Sequence, residues 1–335
     1  MVILSIIVIS HNQKEQLKRC LNSILSQSLP FEYEIIISDD ASSDGTWEVA
    51  QDFAKQYSQI NTYSCNTVDY NPANTSDRSG WNRCNGYQHA TGKYIAHIDG
   101  DDFHLEGKNI YKKQVELLEL HPECSCCMAN DYDLDDGENI SKIKIRHKEI
   151  FQTGEILSSE KYIKKYFRES HCFVYRRNTE VDPVKLYGNY YDDALITSHH
   201  IQFGDIVCLN DAGYVYVHSE SSVWSQQMKC HDDIVIAHAI YIPILIPKWR
   251  YAFLSSPRHL YKILKVIRLA QSGHELREDN LRWVEKIDSF LYHTFNRPLS
   301  LSDKVHLSFL AFYIRALIKF NPTVKFPYKM LSSLI

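Results

Sequence analysis

The stretch Tyr94-Ile95-Ala96-His97-Ile98-Asp99-Gly100-Asp101-Asp102 reads as an apolar-leaning strand that runs straight into three carboxylates. Carboxylates crowded at a strand end repel one another and lose hydration, so the pattern asks for a cation. Mg²⁺ or Mn²⁺ fits best, because these hard ions take oxygen ligands and are held by one or two carboxylates plus substrate phosphates. An acidic turn capping the next helix is the ordinary alternative. The motifs on either side decide between the two.

Upstream, strand and helix alternate. Val2–Ser10 is a continuous β-branched run, as expected of a parallel strand buried on both faces. Asn12 is placed to cap a helix in which Leu17, Leu21, Ile24 and Leu25 fall at helical spacing. Tyr33–Ser38 is a second strand, ending in Asp39-Asp40-Ala41-Ser42-Ser43-Asp44-Gly45-Thr46, and a helix with Val49, Phe53 and Tyr57 on one face follows. Ile60–Ser64 is a third strand, and a helix near Arg83–Ala90 leads back to Tyr94. Such alternation predicts an α/β fold with a mostly parallel sheet flanked by helices. Ligands of these sheets sit beyond the carboxyl ends of the strands. His11-Asn12, Asp39-Asp40 and Asp99–Asp102 all fall there.

Downstream, Gly107–Leu120 reads as a helix with Tyr111, Val115 and Leu118 inward, and Cys124–Ala129 as a strand. Asn130–Glu138 reads as an acidic turn, Ile140–Ile145 as an edge strand and 153–168 as a helix. Cys172–Tyr175, Ile206–Leu209 and Tyr214–Val217 read as short strands, with Tyr190–Asp193 opening a helix over Ala194–Phe203. From about residue 231 the pattern is helical.

The 335 residues suffice for two domains or one large domain with an appendage. A net charge of −4 argues against a nucleic-acid binder. That average hides an asymmetry: residues 1–240 hold 22 basic and 35 acidic side chains, residues 241–335 hold 15 and 6. The nine cysteines include no paired zinc spacing, and Cys124-Ser125-Cys126-Cys127 reads as small buried strand residues. The opening Met1–Ile9 lacks a basic leader, and no apolar run reaches the ~18 residues of a membrane span. A cytoplasmic protein with reduced thiols is expected.

Taken in order, these motifs resemble the family 2 glycosyltransferases of GT-A fold, over roughly residues 2–225. Ser5–Asn12 resembles the family's first strand, Ser26-Gln27-Ser28 the end of its first helix, and Asp39–Thr46 its "D-D-G-S-x-D-G-T". Arg83, Ala90–Ala96 and Asp99–Phe103 are similar to "A-x-G-K-Y-I-A…G-D-D", Tyr191-Asp192-Asp193 to "E-D", and Tyr216-Val217-His218 with Ser221–Ser225 to "Y-R-x-H…G-x-W-S". Ile9, His11, Cys84, His104 and Asp192 depart from the usual residues, but no carboxylate that the chemistry needs is missing.

The resemblance implies a metal-dependent, inverting transfer of a hexosyl or N-acetylhexosaminyl group. The donor would be a nucleotide-diphosphate sugar, UDP-sugar foremost, and the acceptor a hydroxyl of a surface polysaccharide or lipid-linked glycan. Asp101 becomes the main ligand of Mn²⁺ or Mg²⁺, with Asp102 and His218 completing or orienting the site. Ser10, His11, Asn12, Asp39, Asp40, Arg83, Asp99 and Gly100 line the nucleotide sugar, with Arg83 either holding phosphate or pairing with Asp40. Asp193 is the general base, a role that contributes about 10²–10⁴-fold. His171, Asp192 and Trp224 face the acceptor. The domains divide as 1–105 for the nucleotide sugar, 106–228 for the acceptor and 229–335 as a helical extension. That extension, basic and aromatic, either caps the catalytic domain or lies against an anionic membrane. A non-catalytic scaffold that binds nucleotide sugar or glycan is the alternative. A nucleotidyltransferase would want a glycine-rich phosphate loop, and His11-Asn12-Gln13-Lys14 has no glycine.

Overall fold

The computed structural model describes residues 1–65, 75–146, 151–166, 172–187, 193–219, 242 and 246–249. They belong to two compact units, residues 1–162 with 166–226, and residues 163–165 with 227–335. In the second unit Pro247–Trp249 form a single 3₁₀ turn. The helical extension expected at 229–335 otherwise lies outside the described residues.

The first unit is built on β1 (Leu4–Ser10), whose seven residues are all buried. A strand enclosed on both faces needs partners on both edges. It has them in β2 (Tyr33–Asp39) and β4 (Tyr94–Asp99), both parallel, with Ile6 opposite Ile35 on one side and Ala96 on the other. The helix α1 (Lys14–Leu25) follows β1, and α2 (Thr46–Gln56) follows β2. The strand β3 (Ile60–Ser64) pairs parallel with β2. Next, α3 (Thr75–His89) packs on β1 and β2, about two turns longer than the helix read from the sequence.

Beyond β4 come β5 (Phe103–His104), α4 (Ile110–Leu120) and β6 (Cys124–Asp135). After the two-residue strands β7 (Lys144–Ile145) and β8 (Ile156–Leu157), α5 (Ser159–Lys161) runs into a wider turn over Tyr162–Tyr166. The chain continues through β9 (Phe173–Arg176), α6 (Pro183–Tyr187), α7 (Asp193–His200) and β10 (Asp205–His218). The sheet order is β3-β2-β1-β4-β9-β6-β10-β5, with β7 beside β6 and β8 beside β10. Antiparallel β9 separates two parallel blocks, so β1, β2, β4, β6 and β10 all end on one side. This is the helix-flanked, mostly parallel sheet that the alternation predicts. Among the described residues no helix is long and apolar enough to cross a membrane.

Several elements differ from the sequence reading, each for a physical reason. Asn130–Glu138 is no turn as far as Asp135. In Asp131-Tyr132-Asp133-Leu134-Asp135 the acids and the apolar residues alternate, which suits a strand. Leu134 packs on Phe103, Val215 and Val217, with Tyr132 against the same cluster. The two short strands at 206–209 and 214–217 are one strand, because register shifts between Cys208 and Tyr214 absorb Asn210-Asp211-Ala212-Gly213 as a bulge. Residues 140–142 form a 3₁₀ turn, leaving only Lys144-Ile145 as edge strand. The helix expected over 153–168 is preceded by β8 and starts at Ser159. Cys124, Cys126 and Cys127 are buried in β6, and burial pushes the Cys126 and Cys127 thiols well up.

At the sheet end opposite the acidic cluster, Glu34 is buried and accepts from Ser5 Oγ (2.6 Å), Thr91 N (2.8 Å) and Thr91 Oγ1 (2.7 Å). Gly92 N donates to Ser5 Oγ at 2.8 Å. A Cβ on Gly92 would meet Ser5 N at 2.6 Å and Leu4 C at 2.9 Å, and backbone cannot step aside as a flexible side chain can. Gly92→Ala is expected to destabilise the protein by about 1–3 kcal/mol, read as a lowered urea midpoint with unchanged slope.

Buried histidines predict the pH behaviour. In α7 burial pushes His199 down to about 4 and His200 well below its usual range. Below pH 6.5 the unfolded chain protonates these rings and the folded chain does not, so stability is full above 6.5 and falls as pH drops. Each such histidine contributes a slope of about 1.4 kcal/mol per pH unit. His200→Phe keeps the stacking on Tyr175, whose ring centroid is 4.5 Å away. Urea unfolding between pH 6.5 and 4 should show a shallower loss of stability in this variant than in the wild type.

Candidate active site

Because β1, β2 and β4 are parallel neighbours, they end together, with Asp39 opposite Ser10 and Asp99 opposite Ile9. The loops that follow are tied together. Asn12 takes a left-handed conformation (φ 52°) and does not cap α1, contrary to the sequence reading. Its N–H donates to Ser42 Oγ (2.8 Å), and its Oδ1 accepts from Ser43 N (2.8 Å). The first turn of α1 is instead served from the other loop: Gln13 N donates to Thr46 Oγ1 (2.8 Å) and Lys14 N to Asp44 Oδ2 (3.2 Å). Asp39 is buried and accepts from Ser10 Oγ (3.0 Å), Ser42 N (3.0 Å) and Ser42 Oγ (2.6 Å). Asp40, also buried, donates its N–H to Ser10 O at 3.0 Å. His11 Nδ1 donates to Asp40 O (2.7 Å), while Asn12 Nδ2 donates to Nε2 (3.1 Å), which fixes the ring tautomer.

The tetrad after β4 is held from several directions. Asp99 Oδ1 and Oδ2 accept from Arg83 Nη2 at 2.8 and 3.1 Å. Gly100 N donates to Ile9 O at 2.8 Å, and a Cβ there would meet the same oxygen at 2.9 Å, so only glycine lets the turn lie this close to β1. The Asp101 carbonyl accepts from Arg19 Nη2 at 2.6 Å, and the Arg19 guanidinium lies 4.6 Å from the Phe103 ring centroid. Asp102 is buried; its Oδ2 accepts from Tyr214 Oη and its Oδ1 from Val217 N at 2.8 Å. Asp99, Asp101 and Asp102 can each present one oxygen with all three inside 4.8 Å of one another, and they are the one such cluster among the described residues. Three hard oxygens at that spacing suit a hard divalent cation.

Arg83, buried on α3, also meets Asp193 Oδ1 at 2.9 Å. One guanidinium therefore joins the acidic cluster to the first residue of α7. His218 is not in the cluster; its Nε2 donates to Asp133 Oδ1 at 2.9 Å. Asp133 also pairs with Arg146 Nε at 3.3 Å, and Arg146 lies over the Tyr216 ring at 4.2 Å. His171, Asp192 and Trp224 lie outside the described residues. Sequence reasoning missed Arg19, Tyr214, Asp133 and Arg146. Tyr214 reads as a core aromatic, and its partner Asp102 is 112 residues away, so no local signal marks the pair.

Comparisons with known proteins give the family and the fold. A family model described as "Glycosyl transferase family 2" matches residues 5–180. An uncharacterised protein of Mycobacterium tuberculosis is 27% identical over 224 residues, covering 66% of this chain and 60% of that protein. The chain thus spans about three fifths of the length of that curated relative. The putative teichuronic acid biosynthesis glycosyltransferase TuaG of Bacillus subtilis is 31% identical over 127 residues, 38% of this chain and 45% of TuaG. Among solved structures, S. aureus TarS 1-349 in complex with UDP superposes with TM-score 0.56 at 16% identity, over 95% of this chain and 89% of that one. The fold is GT-A.

Replacing Arg83 by methionine leaves Asp99 and Asp193 facing each other with no guanidinium between them. Their side chains remain 28% and 25% exposed, so water offsets part of the loss. The expected cost is about 2–3 kcal/mol by urea unfolding, below the ~3–5 kcal/mol of a fully buried pair.

Proposed function

The chain belongs to glycosyl transferase family 2, and from that premise we propose that it is a metal-dependent inverting glycosyltransferase. The donor is a nucleotide-diphosphate sugar, most simply a UDP-sugar, and the acceptor is a hydroxyl of a surface polysaccharide or lipid-linked glycan. One observation carries the reading: Arg83 links Asp193 to Asp99, beside the acidic cluster, at the carboxyl end of the sheet. The teichuronic acid role in TuaG's name and the UDP in the TarS structure support the choice of polysaccharide and of nucleotide.

Transfer has two electrostatic demands: the departing diphosphate gains negative charge, and the acceptor hydroxyl must lose its proton. Asp101, with Asp102 and Asp99 beside it, would hold Mn²⁺ or Mg²⁺, which when bound supplies positive charge against the diphosphate. His218 follows Val217, the residue whose N–H grips Asp102, and Asp133 orients its ring. The loops after β1 and β2 present His11, Asn12 and Asp40 to the nucleoside, on a framework stiffened by Ser10, Asp39 and Ser42. Asp193 takes the acceptor's proton, and Arg83 holds its carboxylate in one orientation. Attack from the face opposite the leaving diphosphate inverts the anomeric carbon.

The test is Mn²⁺-dependent hydrolysis of a panel of UDP- and other nucleotide sugars, followed by transfer to glycan acceptors. Asp101→Ala should abolish both reactions. Asp193→Asn should slow transfer by about 10²–10⁴-fold while leaving UDP binding intact. A wild-type protein that neither turns over nor binds nucleotide in a metal-dependent way would point to a non-catalytic scaffold.

A further inference from the structure

We propose that Tyr214 is a positioning residue that keeps the Asp99–Asp101–Asp102 cluster at cation-binding spacing, acting through Asp102. The proposal rests on reading this cluster as the cation site. Three carboxylates with oxygens inside 4.8 Å repel one another, and each gains by rotating towards water. Asp99 is restrained by Arg83, and the Asp101 peptide by Arg19. Asp102 is met from β10: the Tyr214 hydroxyl donates to Oδ2, and the Val217 N–H to Oδ1.

Tyr214 is itself immobilised. It is 1% exposed, and it pairs with His104 of β5 on one side and Asp131 of β6 on the other. The His104 ring meets Tyr214 edge-on at 5.5 Å and Tyr111 edge-on at 4.6 Å. The bulge between Cys208 and Tyr214 sets which β10 residues face Asp102. Rotating Asp102 out of the cluster would strand a buried hydroxyl and a buried N–H without their acceptor, which is costly. Without the hydroxyl, one of the two donors that β10 offers the Asp102 carboxylate is lost.

The experiment titrates Mn²⁺ into wild type and Tyr214→Phe and follows bound metal by electron paramagnetic resonance, with and without UDP. The expected result is Mn²⁺ affinity weakened about 10–100-fold and a changed line shape of the bound ion. The circular dichroism spectrum should stay that of the wild type. Equal affinity and line shape in the two proteins would overturn the positioning role alone. A wild type that binds no Mn²⁺ would overturn both this role and the cation reading. If Tyr214→Phe does not fold, hydrogen exchange of the Val217 amide in wild type replaces it. Mn²⁺ with UDP should slow that exchange at least about tenfold, because occupancy fixes the Asp102 acceptor; unchanged exchange would overturn the proposal.

Discussion

Mutual repulsion among Asp99, Asp101 and Asp102 is the constraint around which this end of the molecule is organised. No local feature of a four-residue turn can hold three carboxylates together, so the restraint comes from outside it. Arg83 of α3, Arg19 of α1, the end of β1 and the last third of β10 each contribute a contact. Two of these contacts use the main chain of the turn and two use carboxylates. That division fixes the turn while leaving Asp101, whose own peptide is clamped, to present its side chain.

The same economy appears where α1 starts. A helix end needs acceptors for its first N–H groups, and here they come from Asp44 and Thr46 at the start of α2. Each loop is thereby completed by the other. Because the two loops carry His11 and Asp40, the proposed nucleoside contacts form one unit with their geometry already set.

Much of the first hundred residues was legible in the sequence. β1, β2, β3 and β4 are short, β-branched and bounded by polar turns, so periodicity and composition agree, and the three motifs at their ends could be placed before any coordinates. The second half was harder because its signals conflict. Asp131, Asp133 and Asp135 look like a loop by composition and a strand by alternation; alternation wins once Arg146 and His218 take up charge on that face. Asn210-Asp211-Ala212-Gly213 carries every mark of a turn, yet a bulge absorbs it within a strand already paired to β6. Asn12 has the right residue type for a helix cap but stands one position too early, in a left-handed kink. In the candidate site the carboxylates and Arg83 were readable as types. That Arg83 joins Asp99 to Asp193, and that Tyr214 holds Asp102, depends on contacts across 16 to 112 residues that no local pattern encodes.

The long sequence reach of these restraints has a consequence for how the molecule is made. During synthesis the parallel block of β1 to β4 is available well before β10 leaves the ribosome, and domains gain their contacts in that order. Until residues 214–217 arrive, Asp102 lacks the donors from Tyr214 and Val217, and until residue 193 arrives Arg83 lacks its pairing with Asp193. A nascent chain can therefore own a nearly complete sheet core while its acidic cluster is still splayed. The proposed competence for cation and nucleotide would thus come late in folding, when the most distant pairing in the sheet has closed.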